Sequence, residues 1–273
     1  MRHLLAFLVG PLCLTACGDK SGTPPDAAPP VAFVRQTADA VDHGARVANV
    51  LGCTGCHGAD LAGEDWSDPE FAIMWTSNLS RFVPTVTDAQ LRTVITHGRR
   101  PDGTALWGMP SHLFTRLAER DMAALVVFLR SKAPTGAEHP RPVFKALGQK
   151  EIAEGLFKSA PVEVAEQGGL WPPDAGADHA LGRYIVRATC AECHTMTLRG
   201  GTPYPGAEPR PDLRIAAAYD DAAFNRMLRT GIAPGERKLA LMGEVARGRF
   251  RHLTDAEIAA ILAYLRAVAA KDP

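Results

Sequence analysis

Two pentapeptides decide how this chain of 273 residues is interpreted: Cys53-Thr54-Gly55-Cys56-His57 and Cys190-Ala191-Glu192-Cys193-His194. Each pentapeptide carries two thiols three positions apart and a histidine directly after the second thiol. The two pentapeptides use four of the six cysteines in the chain, so a single chemistry accounts for most of the thiols.

This spacing is the attachment signature of a c-type haem. Two thiols add to the two vinyl groups of one porphyrin, and they must therefore lie a fixed short distance apart. The adjoining histidine then supplies the proximal nitrogen to the iron. The sequence predicts two covalently bound haem c groups, held by Cys53, Cys56, His57, Cys190, Cys193 and His194.

Two other chemistries also use paired cysteines. Zinc takes four ligands in a tetrahedral arrangement. The two pentapeptides could meet as a four-cysteine site, but His57 and His194 would then have no role. A redox dithiol needs one pentapeptide on a strand-to-helix turn and has no need of the histidine. Both alternatives explain less of the pattern than haem attachment does.

The start of the chain predicts export. Residues 1–16 have a short polar beginning and an apolar run, from Leu4 to Leu14, that is too short to span a bilayer stably. The following Leu14-Thr15-Ala16-Cys17 resembles the lipobox of bacterial lipoproteins. This resemblance implies a signal peptide over residues 1–16 and acylation of Cys17. An ordinary signal peptide followed by an incidental cysteine is the alternative.

Lipidation would account for every cysteine: Cys13 leaves with the signal peptide, Cys17 carries the lipid, and the other four hold haem. It also predicts a protein anchored by lipid on the periplasmic side of a bacterial membrane, inner or outer. Residues 17–41, rich in Pro, Ala, Gly and Asp up to Pro30, are predicted to be a flexible tether. The chain has 30 basic and 30 acidic residues, and this balance gives no reason to expect nucleic-acid binding.

The chain repeats itself from Asp42 and from Asp178. Each half has a helix after its pentapeptide and an amphipathic helix at its end. Capping patterns start helices at Thr87 and Thr254, a further helix starts at Asp221, and glycines at 98 and 231 end two of these helices. Ala118 replaces the capping threonine in the first half, so that helix is expected to fray more at its start. The segment 135–177, with Pro and Gly at both ends, is predicted to link the halves, with a short helix within 149–157.

Three helices and one Cys-x-x-Cys-His per repeat resemble class I cytochrome c, present twice. The resemblance covers residues 42–134 and 178–271. It implies an all-α fold of two tandem domains, in which the first and last helices of each domain cross around a haem. The stretch from Gly98 to Pro110 is similar to the cytochrome subunits of membrane-bound bacterial dehydrogenases.

The resemblance also places the sixth ligand of the first iron. Methionine suits electron transfer because thioether sulfur stabilises ferrous iron. Met109 lies in the loop where the family has its ligand, and His112 is its competitor. Met122 aligns with Ile258 on an apolar stripe and is predicted to be core, while Met74 is predicted to pack against the haem edge.

In the second half, Met242 precedes the last helix and is the best candidate for the sixth ligand. This half departs from the family pattern because Gly243, and not proline, follows the methionine. Met227 aligns with Val94 and is predicted to be core. Met196 follows the proximal histidine too closely to reach the opposite face of the haem.

Polar residues near the predicted haems have two interpretations. Some are candidate partners for the haem carboxylates or ordinary loop residues: Trp75, Asn78, Arg81, Arg214 and Tyr219. Others form a basic group around Met242 that either steers an acidic partner or is a solvated face: Arg237, Lys238, Arg247, Arg249 and Arg251.

Two irons ligated by His and Met would have no open position, so the sequence predicts an electron-transfer protein and no enzyme activity of its own. The expected role is the relay of single electrons between redox proteins in a respiratory chain. The first alternative is the electron-accepting cytochrome subunit of a dehydrogenase complex. The second, a dihaem cytochrome c peroxidase, would require a displaceable ligand, and the weaker pattern at Met242 leaves room for it.

Overall fold

Helices make up most of the secondary structure. The computed structural model describes residues 31–202 and 207–271, so the predicted signal peptide and Cys17 lie outside the described residues. The α-helices of the described part are α1 Ala40–Leu51, α2 Cys53–Cys56, α3 Leu79–Phe82, α4 Asp88–His97, α5 Ser111–Phe114, α6 Glu119–Arg130, α7 Ala146–Ala153, α8 Ala160–Gln167, α9 Ala180–Thr189, α10 Ala191–His194, α11 Asp221–Thr230, α12 Leu241–Gly248 and α13 Asp255–Lys271. Short 3-10 turns occur at Val83–Thr85, Ala177–His179, Leu213–Ala218, Pro234–Glu236 and Phe250–His252.

In the part of the chain that the structure describes, four two-residue strands form two antiparallel pairs. Strand β1 (Ala72–Ile73) pairs with β2 (Val143–Phe144), and β3 (Ile232–Ala233) pairs with β4 (Arg237–Lys238). The first pair joins the first half of the chain to the segment that follows it. Among the helices of residues 31–202 and 207–271, none combines the length and the apolar composition that a membrane span requires.

The first and last helices of each half pack closely at a glycine. A Cβ on Gly44 of α1 would overlap the carbonyl oxygen of Ala124 in α6. In the second half, a Cβ on Gly182 of α9 would overlap the carbonyl oxygen of Ala260 in α13. Because glycine alone permits this approach of two backbones, the same crossing is built in the same way twice.

The predicted helix ends are confirmed where capping signals are present. Thr87 and Gln90 form a reciprocal capping box at the start of α4, and Gly98 ends that helix with φ 64°. In the second half, Gly231 ends α11 with φ 75°. The start of α13 is held by a hydrogen bond from the Glu257 backbone N–H to the hydroxyl of Thr254. These signals act within four residues, so the sequence alone reveals them.

Helix α6 lacks a capping side chain at Ala118, and the second half supplies a substitute. The Ala118 N–H donates to the hydroxyl of Tyr184, 3.0 Å away, and that hydroxyl donates to Oδ2 of Asp121 at 2.7 Å. The Phe33 N–H also donates to this Oδ2. Burial raises the pKa of Asp121.

The two predicted domains pack against each other through buried charged side chains. Arg187 of α9 is 1% exposed and donates to the carbonyl oxygens of His112, Leu113 and Gly168. Arg46 of α1 forms an ion pair with the fully buried Glu257 of α13. Removing one partner of a buried ion pair typically costs about 3–5 kcal/mol, so these contacts hold the described residues together as one unit.

The predicted tether, residues 17–41, ends earlier than expected. Ala32 and Phe33 are buried, and the Phe33 ring lies 5.6 Å from the Tyr184 ring. Helix α1 begins at Ala40, two residues before the predicted domain boundary. Residues from 31 onward therefore belong to the packed structure, because Phe33 contributes to the core.

The predicted linker, residues 135–177, is more structured than expected. Its predicted short helix within 149–157 begins earlier, as α7, and a second helix, α8, was not predicted. Helix α8 packs against α4 and α5. Aromatic contacts attach the segment to the first half through a cluster of Phe71, Trp107, Phe144 and Phe157.

Candidate functional site

The first pentapeptide begins immediately after helix α1. Gly52 ends α1 in the left-handed conformation, with φ 88°, and α2 then runs from Cys53 to Cys56. This helical turn brings the two sulfur-bearing residues to one face. His57 directly follows α2. The three residues predicted to hold the first haem are thus placed by one sharp turn and one short helix.

The imidazole of His57 is held by one ring nitrogen. Its Nδ1 lies 2.8 Å from the carbonyl oxygen of Ser77. Because a carbonyl oxygen only accepts hydrogen bonds, Nδ1 carries the proton and Nε2 keeps a free lone pair. Burial lowers the pKa of His57, which favours the neutral ring that a metal requires.

A cavity adjoins this pentapeptide. Cys53, Cys56, His57 and Met109 all line it. Its other walls are mainly apolar and include Phe82, Leu91, Val94, Ile95, Leu125 and Leu129. Two thiols, an imidazole with a free nitrogen, a thioether and apolar walls are the set of groups that a covalently attached haem needs. The residues present therefore fit haem c.

The structure separates the candidate sixth ligands of the first half. Met109 lines the cavity, whereas His112 is not among its lining residues. His112 lies on α5, is buried, and has its Nδ1 3.7 Å from a carboxylate oxygen of Glu163. Met122 is buried in the core, as predicted, and Met74 lines the cavity.

The second pentapeptide repeats this arrangement. Cys190 ends α9, and α10 carries the chain to His194. The Nδ1 of His194 lies 2.9 Å from the carbonyl oxygen of Pro211, so this imidazole is also protonated at Nδ1. Burial lowers the pKa of His194. Both predicted proximal histidines therefore present Nε2 as the free nitrogen.

Met109 and Met242 stand at equivalent positions in the two halves, each shortly after a backbone hydrogen bond that both halves contain. The Leu106 N–H donates to the carbonyl oxygen of Gly98 at 2.7 Å, and the Leu239 N–H donates to that of Gly231 at 3.0 Å. Each methionine follows three residues after the donor leucine. Met242 is partly buried and packs against the hydrophobic core, but it lies inside α12, whereas Met109 precedes α5.

Two leucines repeat a strained conformation that the sequence did not reveal. Leu61 and Leu198 each follow the predicted proximal histidine by four residues, and both have φ 61°. Both side chains are almost fully buried, at 0% and 1% exposure. Their carbonyl oxygens accept the N–H groups of Leu79 and Leu213. A leucine rarely adopts a positive φ, so two matching occurrences point to one shared constraint.

Three of the residues proposed as haem-carboxylate partners contact the loop that contains residues 135–139. Asn78 donates to the carbonyl oxygens of Thr135 and Ala137, and Arg81 donates to that of Gly136. Trp75 lines the cavity and stacks on the ring of His139, with centroids 4.2 Å apart.

In the second half, Arg214 forms an ion pair with Asp212, and Tyr219 packs against Phe224 with ring centroids 6.2 Å apart. Sequence reasoning missed Arg100, which lines the first cavity and donates to the hydroxyl of Ser77. Burial lowers the pKa of Arg100.

The prediction of a basic group around Met242 is wrong for one of its five residues. Arg249 does not belong to an exposed rim, because its side chain is only 14% exposed. It points towards the first half and lines the first cavity together with Glu192. The other four members, Arg237, Lys238, Arg247 and Arg251, are exposed.

The thiols lack the character of a redox dithiol. Burial raises the pKa of Cys53 to about 12 and that of Cys190 to about 11. A reactive dithiol requires a lowered thiol pKa. Among residues 31–202 and 207–271, no three His, Cys, Asp or Glu side chains gather in a group that could hold a metal ion.

Comparisons with known proteins find similarity to cytochromes. Residues 179–269 match the family model for cytochrome c. The chain is 25% identical over 259 residues to the fructose dehydrogenase cytochrome subunit of Gluconobacter japonicus, covering 85% of this chain and 53% of that protein. It is 24% identical over 275 residues to the cytochrome c subunit of alcohol dehydrogenase (quinone) from Gluconacetobacter polyoxogenes, covering 85% and 58%. The same figures hold for the corresponding subunit from Komagataeibacter europaeus. The chain spans little more than half the length of these curated relatives.

Proposed function

We propose that this chain, which contains a cytochrome c domain at 179–269 and is similar to cytochrome subunits of bacterial dehydrogenases, binds two haem c groups and relays single electrons. The proposal assigns one class I cytochrome c domain to residues 42–134 and another to residues 178–271. The single observation that carries it is the repeated geometry of His57 and His194. Each follows a Cys-x-x-Cys pair and is fixed through Nδ1 to a backbone carbonyl.

The residues have separate tasks in this relay. When bound, each haem supplies an iron that takes up and releases one electron. Cys53 and Cys56 hold the first group covalently, and His57 fixes its orientation. Met109 is the proposed second ligand, which favours the reduced state. Apolar walls around the site exclude water, so few solvent dipoles need to reorient when the charge changes. Cys190, Cys193, His194 and Met242 do the same in the second half.

A subunit role within a dehydrogenase complex is the second candidate function. It is favoured by a specific observation: the similarity to dehydrogenase cytochrome subunits extends over 85% of this chain. In that role the chain would accept electrons from a catalytic subunit. Purification from detergent-solubilised native membranes distinguishes the candidates, because a subunit retains its dehydrogenase and a free-standing carrier does not.

If the chain relays electrons, it should be reduced and reoxidised reversibly without consuming a substrate of its own. Ascorbate is expected to reduce the purified chain and ferricyanide to reoxidise it, with full recovery of the spectrum through repeated cycles. The half-reduced chain should consume hydrogen peroxide no faster than free haem in buffer does, because both irons would hold two protein ligands. Peroxide turnover and cycling are both followed by absorbance. Rapid peroxide turnover would support the peroxidase hypothesis and overturn the relay.

We propose in addition that lipid on Cys17 anchors the chain at the periplasmic side of a bacterial membrane. The support is the sequence Leu14-Thr15-Ala16-Cys17 after an apolar run. Several acyl chains on one residue give lasting attachment, whereas one chain alone binds only marginally.

Replacing Cys17 by serine is therefore expected to move the chain from the membrane fraction to the soluble periplasmic fraction, with its haem content unchanged. Immunoblots of the two fractions and mass spectrometry of the mature N-terminus measure this change. The matched control is Cys13→Ser. Because Cys13 lies within the predicted signal peptide, this variant chain should remain in the membrane fraction. A mature N-terminus without acyl mass would contradict the anchor.

A further inference from the structure

The side chain of Arg249 lies between the two pentapeptides, although it belongs to the second half. Its Nη1 donates to Oε2 of Glu192 at 2.7 Å, and its Nη2 donates to the carbonyl oxygen of Leu51 at 3.0 Å. Its Nε donates to the carbonyl oxygen of Val50 at 3.3 Å. The Arg249 side chain is 14% exposed and that of Glu192 is 28% exposed. One cation therefore binds the backbone of the first half and a carboxylate of the second half together.

These contacts link the second attachment motif to the helix end that leads into the first. Leu51 is the last residue of α1 and stands two positions before Cys53, so the guanidinium lies at the negative end of the helix dipole. Glu192 stands between Cys190 and Cys193. A Cβ on Gly52 would come within 2.8 Å of the guanidinium carbon. Glycine at this position therefore allows the close approach, and the three hydrogen bonds of one side chain link the second motif to the end of the helix that precedes the first.

The charge pair also belongs to the wall of the first cavity. Glu192 and Arg249 line it together with Cys53 and Cys56. Charges act more strongly beside apolar walls than in water, because little polarisable solvent screens them. The guanidinium is charged at any ordinary pH. A nearby cation favours the electron-richer state of a redox centre, and a nearby carboxylate disfavours it.

We propose that the second half completes the first haem site: Arg249 and Glu192 form a charge pair that sets the reduction potential of the first haem and marks the edge where the two sites meet. The inference rests on the proposed attachment of haem at His57. Arg249 is in this view a positioning residue, since it acts through the backbone before Cys53 and through its field.

Opposite single substitutions test the proposal. Arg249→Gln removes the cation and leaves Glu192 uncompensated, so the potential of the first haem should fall. Glu192→Gln leaves Arg249 uncompensated, so that potential should rise. In each variant the ratio of reduced to oxidised first haem, at one fixed applied potential, should change about tenfold, which corresponds to about 1.4 kcal/mol. The double variant should lie close to the parent chain, because both charges are gone.

The signs separate an electrostatic role from a structural one. Both single variants lose the same bridge, so a loss of packing alone would shift the potential in one common direction. The matched control is Arg226→Gln, which breaks an exposed Arg226–Glu236 pair of 2.6 Å in the second half and should leave the first haem unchanged. Spectroelectrochemical titration measures the parent chain and these four variants. The first haem is assigned by titrating the Cys190→Ala/Cys193→Ala chain, in which it is the thioether-bound haem and absorbs differently from any haem that the second half retains without thioether bonds.

Two results would overturn the proposal: shifts of the same sign in both single variants, or shifts no larger than in Arg226→Gln. If Arg249→Gln fails to fold, the rise expected for Glu192→Gln decides the question by itself. The haem count of each sample identifies a failure of the proposed function separately. A chain with haem at the first site only would contradict the two-haem proposal, yet it would still report both shifts.

Discussion

A chain in which Cys190 and Cys193 are both replaced by alanine is expected to carry one covalent haem in place of two. Without the thioether bonds, the second group is held by its axial ligands and by packing alone, and denaturation releases it. After acid–acetone extraction of haem that is not covalently bound, the pyridine haemochrome assay should count two haems in the parent chain and one in the variant. Haem staining after denaturing electrophoresis should fall to roughly half, because only the group at Cys53 and Cys56 remains attached.

The reciprocal variant, with Cys53 and Cys56 changed to alanine, provides the matched control and should also retain one haem. The first cavity is lined by residues of the hydrophobic core such as Leu91, Leu125 and Leu129. Loss of the group that fills it should therefore destabilise the first half as well as change the spectrum. A count of one haem in the parent chain would contradict the duplicated interpretation. The variant that loses no haem would then identify the pentapeptide that is not used.

Local signals explain why much of this fold could be predicted. The ends of α4, α11 and α13 depend on capping residues no more than a few positions away, at Thr87, Gly231 and Thr254. The attachment motifs are local too, because five consecutive residues carry all the chemistry. In such places the interacting groups are neighbours in the sequence, and a pattern identifies them directly.

The missed features depend on partners that are distant in the sequence. Ala118 was expected to leave α6 with a weak start, but Tyr184, which is 66 positions away, accepts the hydrogen bond from its N–H. The neighbouring basic residues in the sequence predict that Arg249 belongs to a basic surface. Its actual partners, Leu51 and Glu192, come from two other parts of the chain. No periodicity or spacing encodes such contacts, because they arise from the packing of the two halves.

Replacement of either proposed methionine ligand is the second change with a large expected effect. Met109→Ala and Met242→Ala should each remove about half of the weak sulfur-to-iron charge-transfer band at the red edge of the visible spectrum of the oxidised chain. Each substitution should also open one iron to carbon monoxide, because alanine cannot coordinate it. The band and the carbon monoxide difference spectrum measure ligation at each site independently of the haem count.

Controls for this prediction are available among the other methionines and in His112. Met122→Leu changes a buried core residue and should leave the band intact, as should His112→Ala, since His112 does not line the cavity. The structural support for Met109 differs from that for Met242. Met109 lines the cavity beside His57, whereas Met242 is placed by its correspondence to Met109 and lies within α12. If Met242→Ala leaves the band and the carbon monoxide spectrum unchanged, the second iron has another ligand or none. An iron with an open position could bind peroxide, and the peroxidase hypothesis would then have to be tested at the second site.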